Sequence, residues 1–111
     1  MANVAEFHSS LKPRPAEAFL ALRALAVSLG PDVIESVSGG SVTYLRREKP
    51  FLHVQHARSR LQVAFPPNLP LPDPNGRLLK RGEERYLAVE GPEGVDGHVQ
   101  EFVRRAYAAL R

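Results

Sequence analysis

Phe51-Leu52-His53-Val54-Gln55-His56-Ala57-Arg58-Ser59-Arg60-Leu61-Gln62-Val63-Ala64-Phe65 is the stretch that decides the fold. Side chains on a strand alternate between its two faces. The first half therefore sends Leu52 and Val54 to one face and Phe51, His53 and Gln55 to the other. The second half sends Leu61, Val63 and Phe65 inward and Arg60 and Gln62 outward. Ala57-Arg58-Ser59 between them reads as a short turn. Upstream, Val42-Thr43-Tyr44-Leu45 is β-branched and aromatic, and the charged turn Arg46-Arg47-Glu48-Lys49-Pro50 joins it to Phe51. Three strands on short loops predict an antiparallel meander.

The meander is flanked by helical patterns. From Ala16, the residues Phe19, Leu22, Leu25, Ala26 and Leu29 recur at spacings of three and four, which lines up one apolar stripe. Gly30-Pro31 predicts the stop, with glycine in a left-handed cap. Near the end, Asp96 is a good N-cap, and Val95, Val99, Phe102, Val103, Ala106 and Leu110 trace a second stripe. Arg104, Arg105 and Arg111 fall in its last half, where positive charge suits the helix dipole. Pro66 to Pro74 holds five prolines in nine residues, so it is neither helix nor central strand. It reads as an extended segment crossing the domain surface. Asn75-Gly76 is a turn, Leu78-Leu79 a single helical turn, and Arg85 to Glu90 a fourth strand with Leu87 and Val89 inward. Residues 1–15 read as a loosely held tail, and residues 16–111 as one α+β domain. Its antiparallel sheet should have about four to five strands, with the N- and C-terminal helices on one face and the other face open.

The 111 residues suit one domain that needs no metal or disulfide staple, and there is no cysteine. No signal peptide or membrane-length apolar run is present, which predicts a cytoplasmic protein without a membrane partner. Arginine outnumbers lysine twelve to three, as codon usage in a GC-rich genome produces. The net charge of +3 is unevenly placed. Residues 44–81 carry eight basic side chains (Arg46, Arg47, Lys49, Arg58, Arg60, Arg77, Lys80, Arg81) against Glu48 and Asp73, while both flanks are net acidic.

Catalytic signatures fail one by one. Gly39-Gly40 and Gly91-Pro92-Glu93-Gly94 lack the lysine and the strand–loop–helix context of a phosphate loop. No Gly-x-Ser-x-Gly elbow occurs. Glu83-Glu84 reads as a solvated turn rather than an acid–base pair, and Pro67-x-x-Pro70 as chance in a proline-dense run. His53 and His56 sit three apart on a strand, hence on opposite faces, which does not make a metal pair. No cofactor, metal site or catalytic residue is therefore expected. What remains is a surface: Arg46 and Arg47 at one hairpin tip, Arg58 and Arg60 at the next, and Tyr44, Phe51, His53, Gln55, Gln62 and Tyr86 on the outer sheet face. Aromatics, amides and cations on an open sheet are the chemistry that stacks bases and holds phosphates. The leading expectation is a non-enzymatic binding or regulatory module with nucleic acid as its partner. A protein-interaction module or a small-ligand domain is the alternative from the residues.

Glu35-Ser36-Val37-Ser38-Gly39-Gly40-Ser41-Val42-Thr43-Tyr44 resembles the signature of the YdhG-like proteins, roughly aromatic-Gly-Met-Pro-Thr-aromatic. Gly40, Thr43 and Tyr44 match, while Gly39, Ser41 and Val42 replace the first aromatic, the Met and the Pro. Leu71-Pro72-Asp73-Pro74-Asn75-Gly76-Arg77-Leu78-Leu79 resembles that family's Leu-Pro-Asp-Pro-x-Gly-Leu-Leu segment with one residue inserted, and Phe102-Val103-Arg104-Arg105-Ala106-Tyr107 is similar to its closing helix. Leu29-Gly30-Pro31-Asp32-Val33 resembles a related domain family sometimes fused to nucleases. The resemblance implies a frataxin-like or MmcQ/YjbR-like α+β sandwich and carries no catalytic residue set. Some members are described as iron chaperones and some relatives as nucleic-acid-associated. A frataxin-like iron role is thus a further alternative, with Glu17, Asp32 and Glu35 as its acidic residues.

Overall fold

The alternating stretches become strands. In the computed structural model, which describes residues 3–38, 40–67, 69, 71–74 and 76–110, the elements run α1 (Val4–Ser9), α2 (Pro13–Ser28), β1 (Val33–Ser38), β2 (Ser41–Arg46), β3 (Lys49–Ala57), β4 (Arg60–Phe65), β5 (Leu79–Arg81), β6 (Glu84–Val89) and α3 (Gly97–Ala109). A single 3-10 turn, Pro92–Gly94, precedes α3. Gly39, Asn68, Pro70, Asn75 and Arg111, which entered the reading of turns, proline segment and last helix, lie outside the described residues.

All six strands join one antiparallel sheet in the order β1-β2-β3-β4-β6-β5. Its inner face is a ladder of apolar rungs: Val37, Val42, Val54, Val63 and Leu87 lie side by side, with Leu61 and Val89 on the next. The helices pack on this face alone. Phe65 meets Phe102 of α3 edge-on at 6.1 Å, and Phe51 meets Tyr107 at 5.6 Å. Phe19, Leu22 and Ala26 of α2 are fully buried in the same core. The radius of gyration, 12.9 Å, is close to the roughly 13 Å of one compact domain this size.

The sheet has two strands more than the four recognised in sequence, β1 and β5. Leu78-Leu79 is not a helical turn, because Leu79 enters β5 and pairs with Tyr86. The N-terminal segment is not a loose tail throughout. Asn3 caps α1 by accepting from the Glu6 N–H, and Phe7 is buried against Phe19 at 4.9 Å between ring centroids. The second helix begins at Pro13 rather than Ala16. Its end at Gly30 has a different cause from the left-handed cap expected, since Leu29 caps in a right-handed conformation and Gly30 is not among the positive-φ glycines. The Tyr107 hydroxyl lies where a Gly30 side chain would begin.

Leu71 of the proline segment is buried in the core. Arg85, at the start of β6, donates to the Leu69 and Leu71 carbonyls at 2.7 and 2.9 Å. Asp73 accepts the Arg77 and Leu78 N–H groups, and Arg77 in turn grips Asp96, the N-cap of α3.

Candidate functional site

No helix among the described residues covers the outer face of the sheet. Ser36, Thr43, His53, Ala64, Tyr86 and Leu79 form one rung across all six strands. Ser38, Ser41, Gln55, Gln62 and Ala88 form the next, and Arg60 stands beyond it opposite Ala57. The strands carry mostly small or polar residues here because this face has nothing to pack against, with Ile34 and Leu79 as exposed apolar exceptions. His53 is held by Thr43, whose Oγ1 lies 2.8 Å from Nδ1. Ala64 is only 5% exposed although no helix lies above it, and its rung neighbours are His53 and Tyr86. The Arg81 guanidinium stacks on the Tyr86 ring at 4.7 Å, a cation–π contact on the rim of the face.

Of the ten residues expected to form the binding surface, His53, Gln55, Gln62, Tyr86 and Arg60 lie on this face, and Arg58 lies in the turn at its end. Two aromatics do not. Tyr44 shares its face with Val42, is fully buried, and donates to Glu35 Oε2 at 2.7 Å. Phe51 is displaced by a bulge: Tyr44 pairs with Leu52 but Leu45 pairs with Pro50, so Phe51 is the extra residue and turns into the core. Arg46 is not a surface cation either. It pairs with Asp32 at 2.9 Å, donates to the Tyr107 carbonyl at 2.9 Å, and lies 4.0 Å over the Tyr107 ring. Arg47 is exposed at the hairpin tip next to it. Arg81 was missed in sequence. The signal was Gly82-Glu83 between Arg81 and Glu84, a two-residue loop with glycine first and a φ of 63°.

The middle-third charge divides in two. Arg46 and Arg85 tie a helix and loops to the sheet, and Arg77 ties its loop to the N-cap of α3. Arg47, Lys49, Arg58, Arg60, Lys80 and Arg81 are exposed. Arg47 and Lys49 stand at one end of β3, Arg58 and Arg60 at the other. Both hairpin tips are built against local preference. Arg47 and Glu48 have φ of 52° and 68°, the pattern of a type I′ turn, and Arg58 has φ of 59° at the first position of a two-residue loop. Glycine or asparagine normally fills such positions.

Two networks at the edge of the core shift Asp32 and the two phenols Tyr44 and Tyr107. The Tyr107 hydroxyl, with Arg46, holds Asp32 below the usual carboxylate range, and Asp32 in turn raises the Tyr107 phenol. Burial and then Glu35 push the Tyr44 phenol far up, and Glu35 also raises Arg23. Asp32 and Glu35, two acids the iron alternative would use, are thus engaged with Arg46, Tyr107, Arg23 and Tyr44. Among the described residues no three His, Asp or Glu side chains gather as a metal site, and no helix is long and apolar enough to cross a membrane.

No protein-family model matches the chain, and neither a curated protein nor a solved structure matches it significantly.

Proposed function

We propose that this protein is a non-enzymatic binding module that takes single-stranded nucleic acid across the open face of its sheet. The observation that carries this reading is the set of cations at positions where the fold gains nothing from them. Arg47 and Arg58 occupy left-handed turn positions at the two ends of β3, bracketing the open face. A residue held in strained backbone without a structural return is a candidate for function. Between the tips, Tyr86 with Arg81, His53, Gln55 and Gln62 offers a stacking ring, a cation and amide groups on two adjacent rungs. Base stacking on an aromatic is sequence-tolerant, because every base has a π-face. Loss of Tyr44 and Phe51 to the core leaves Tyr86 and His53 as the rings of this surface.

The test is a fluorescence anisotropy titration with single- and double-stranded oligonucleotides at two salt concentrations. Single strands are expected to bind, and binding should weaken by about 0.7 log units per log unit of salt for each phosphate contacted. Tyr86→Ala should lower affinity about tenfold, as loss of one stacked base does. Arg58→Ala with Arg60→Ala should flatten the salt slope. A folded protein that binds no oligonucleotide at low salt would overturn the reading.

A further inference from the structure

The two edges of the sheet are finished differently. The β5 edge is three exposed residues, two of them Lys80 and Arg81, and a short, charged edge strand guards a sheet against further pairing. The β1 edge is six residues long and pairs with β2 in unbroken register. Val33 to Ser38 include no proline, lysine or arginine, and no described strand lies beyond them. The one charge there, Glu35, is neutralised by Arg23. Apolar side chains gather at the same edge. Among the described residues four large ones stand about half exposed, Leu20, Val27, Ile34 and Leu79, and the first three border β1. We infer that a second copy of this chain pairs antiparallel with the β1 edge, making a two-fold dimer with one continuous sheet. This contact goes beyond the binding function proposed above and does not depend on it.

Placement selects the occupant. Arg23 reaches from α2 to Glu35 of β1 and bonds both carboxylate oxygens, at 2.9 and 3.2 Å. Leu20 and Val27 lie three residues before and four after Arg23, so they share that flank of the helix. They border the edge from the helix side, while Ile34, opposite Leu45 on the outer face, borders it from the other. A lone added strand would hydrogen-bond to β1 and leave Leu20 and Val27 in water. A second copy, related by a two-fold axis normal to the sheet, brings its own α2 and its own Ile34 to the matching sides. An isologous contact presents the same patch twice in this way. Charge then fixes the register. Glu35 opposite Glu35 would set like charges face to face, which destabilises a strand pair. Centring the axis on Ser36 puts Glu35 opposite Val37 of the second copy. It also brings the second copy's Glu35 toward Arg23, whose Nη1 has no acceptor among the described residues. The two ion pairs thus alternate in sign around the axis, the complementarity that sets register at an interface.

Sedimentation velocity of the intact protein at micromolar concentrations should give the mass of two chains. Ile34→Lys should weaken the dimer about tenfold or more, the effect of burying one unpaired charge. Leu79→Lys, the same change on the guarded edge, should leave it intact. Both positions are exposed, so thermal melts by circular dichroism should confirm the fold of each. The chain has no cysteine, so Ser36→Cys reads the register directly. Residues facing each other in an antiparallel pair lie roughly 4.5–5.5 Å apart at Cα, within the span of a disulfide. Mild oxidation should therefore give a covalent dimer on a non-reducing gel, and Lys80→Cys should give none. A protein that sediments as one chain throughout would overturn the inference. So would a dimer that survives Ile34→Lys but not Leu79→Lys, or one whose Ser36→Cys form does not cross-link. A single chain that still binds oligonucleotide overturns this inference alone, and a dimer that binds none overturns the proposed function alone.

Discussion

Arg58→Gly should make the protein more stable and a poorer binder at the same time. Arg58 has φ of 59°, a conformation that costs a residue with a Cβ about 1–2 kcal/mol. Glycine removes that strain but adds unfolded-chain entropy of roughly 0.5–1 kcal/mol. The net gain is about 0.5–1 kcal/mol, or roughly 2–5 °C in melting temperature for a domain this size. No hydrogen bond from the Arg58 side chain offsets it among the described residues. The assay is a urea titration followed by circular dichroism, beside an anisotropy titration with single-stranded oligonucleotide. The two readouts should move in opposite directions. If Arg58→Gly destabilises the protein, the turn is not strained in the way argued. If it stabilises the protein and leaves affinity and salt slope untouched, Arg58 has no part in binding.

Other positions give independent checks. Lys12→Ser supplies the cap that α2 lacks, and should stabilise by about 0.5–1 kcal/mol in the same urea titration. Tyr44→Phe removes the bond to Glu35 at the edge of the core, and should cost about 1–2 kcal/mol with the fold retained by circular dichroism. Asp32, Asp73 and Asp96 are all held below the usual carboxylate range. For Asp32 the chief cause is the Tyr107 hydroxyl, and for Asp73 the Leu78 N–H; for Asp96, burial raises the carboxyl but Arg77 and the Val99 N–H outweigh it. Such groups stabilise the fold above their unfolded value and lose that contribution as pH falls through the folded one. Melting temperature should therefore hold between about pH 5 and 7 and drop below about pH 4, less steeply in Asp96→Asn.

The sequence carried β3, β4, β6 and α3 clearly, because each has an uninterrupted apolar period and ends in turn or cap residues. The first strand was hidden by Glu35. Val33, Glu35 and Val37 share its inner face, and a charge at the middle position breaks the alternation. Only the contacts from Arg23 and Tyr44 make that carboxylate tolerable there, and those contacts come from distant parts of the chain. The three residues of β5 are all exposed, so no periodicity marks them. Within the site, the outer positions of β3, β4 and β6 followed from parity. Tyr44 was open to parity too, since it lies two residues from Val42 on the same strand and so on the same face. Phe51 was not legible, since one extra residue in the pairing reverses a side chain without any mark in the local pattern.

The cations separate into those the fold uses and those it does not, and composition explains only their number. A genome that favours arginine codons supplies many arginines but does not choose their backbone conformation. Arg46, Arg77 and Arg85 each satisfy a carboxylate or carbonyl that links two elements, so their places follow from packing. Lys12, Arg47 and Arg58 stand at a helix cap and two left-handed turn positions. At each of these, serine, asparagine or glycine would suit the backbone better. At the β5–β6 loop the chain does place glycine first, at Gly82 with φ of 63°, so the same chain uses the favoured residue where no cation is wanted. The contrast between Gly82 and Arg58, at the first positions of two hairpin loops of equal length on one sheet, is the physical support for the proposal that the Arg58 loop serves binding rather than folding.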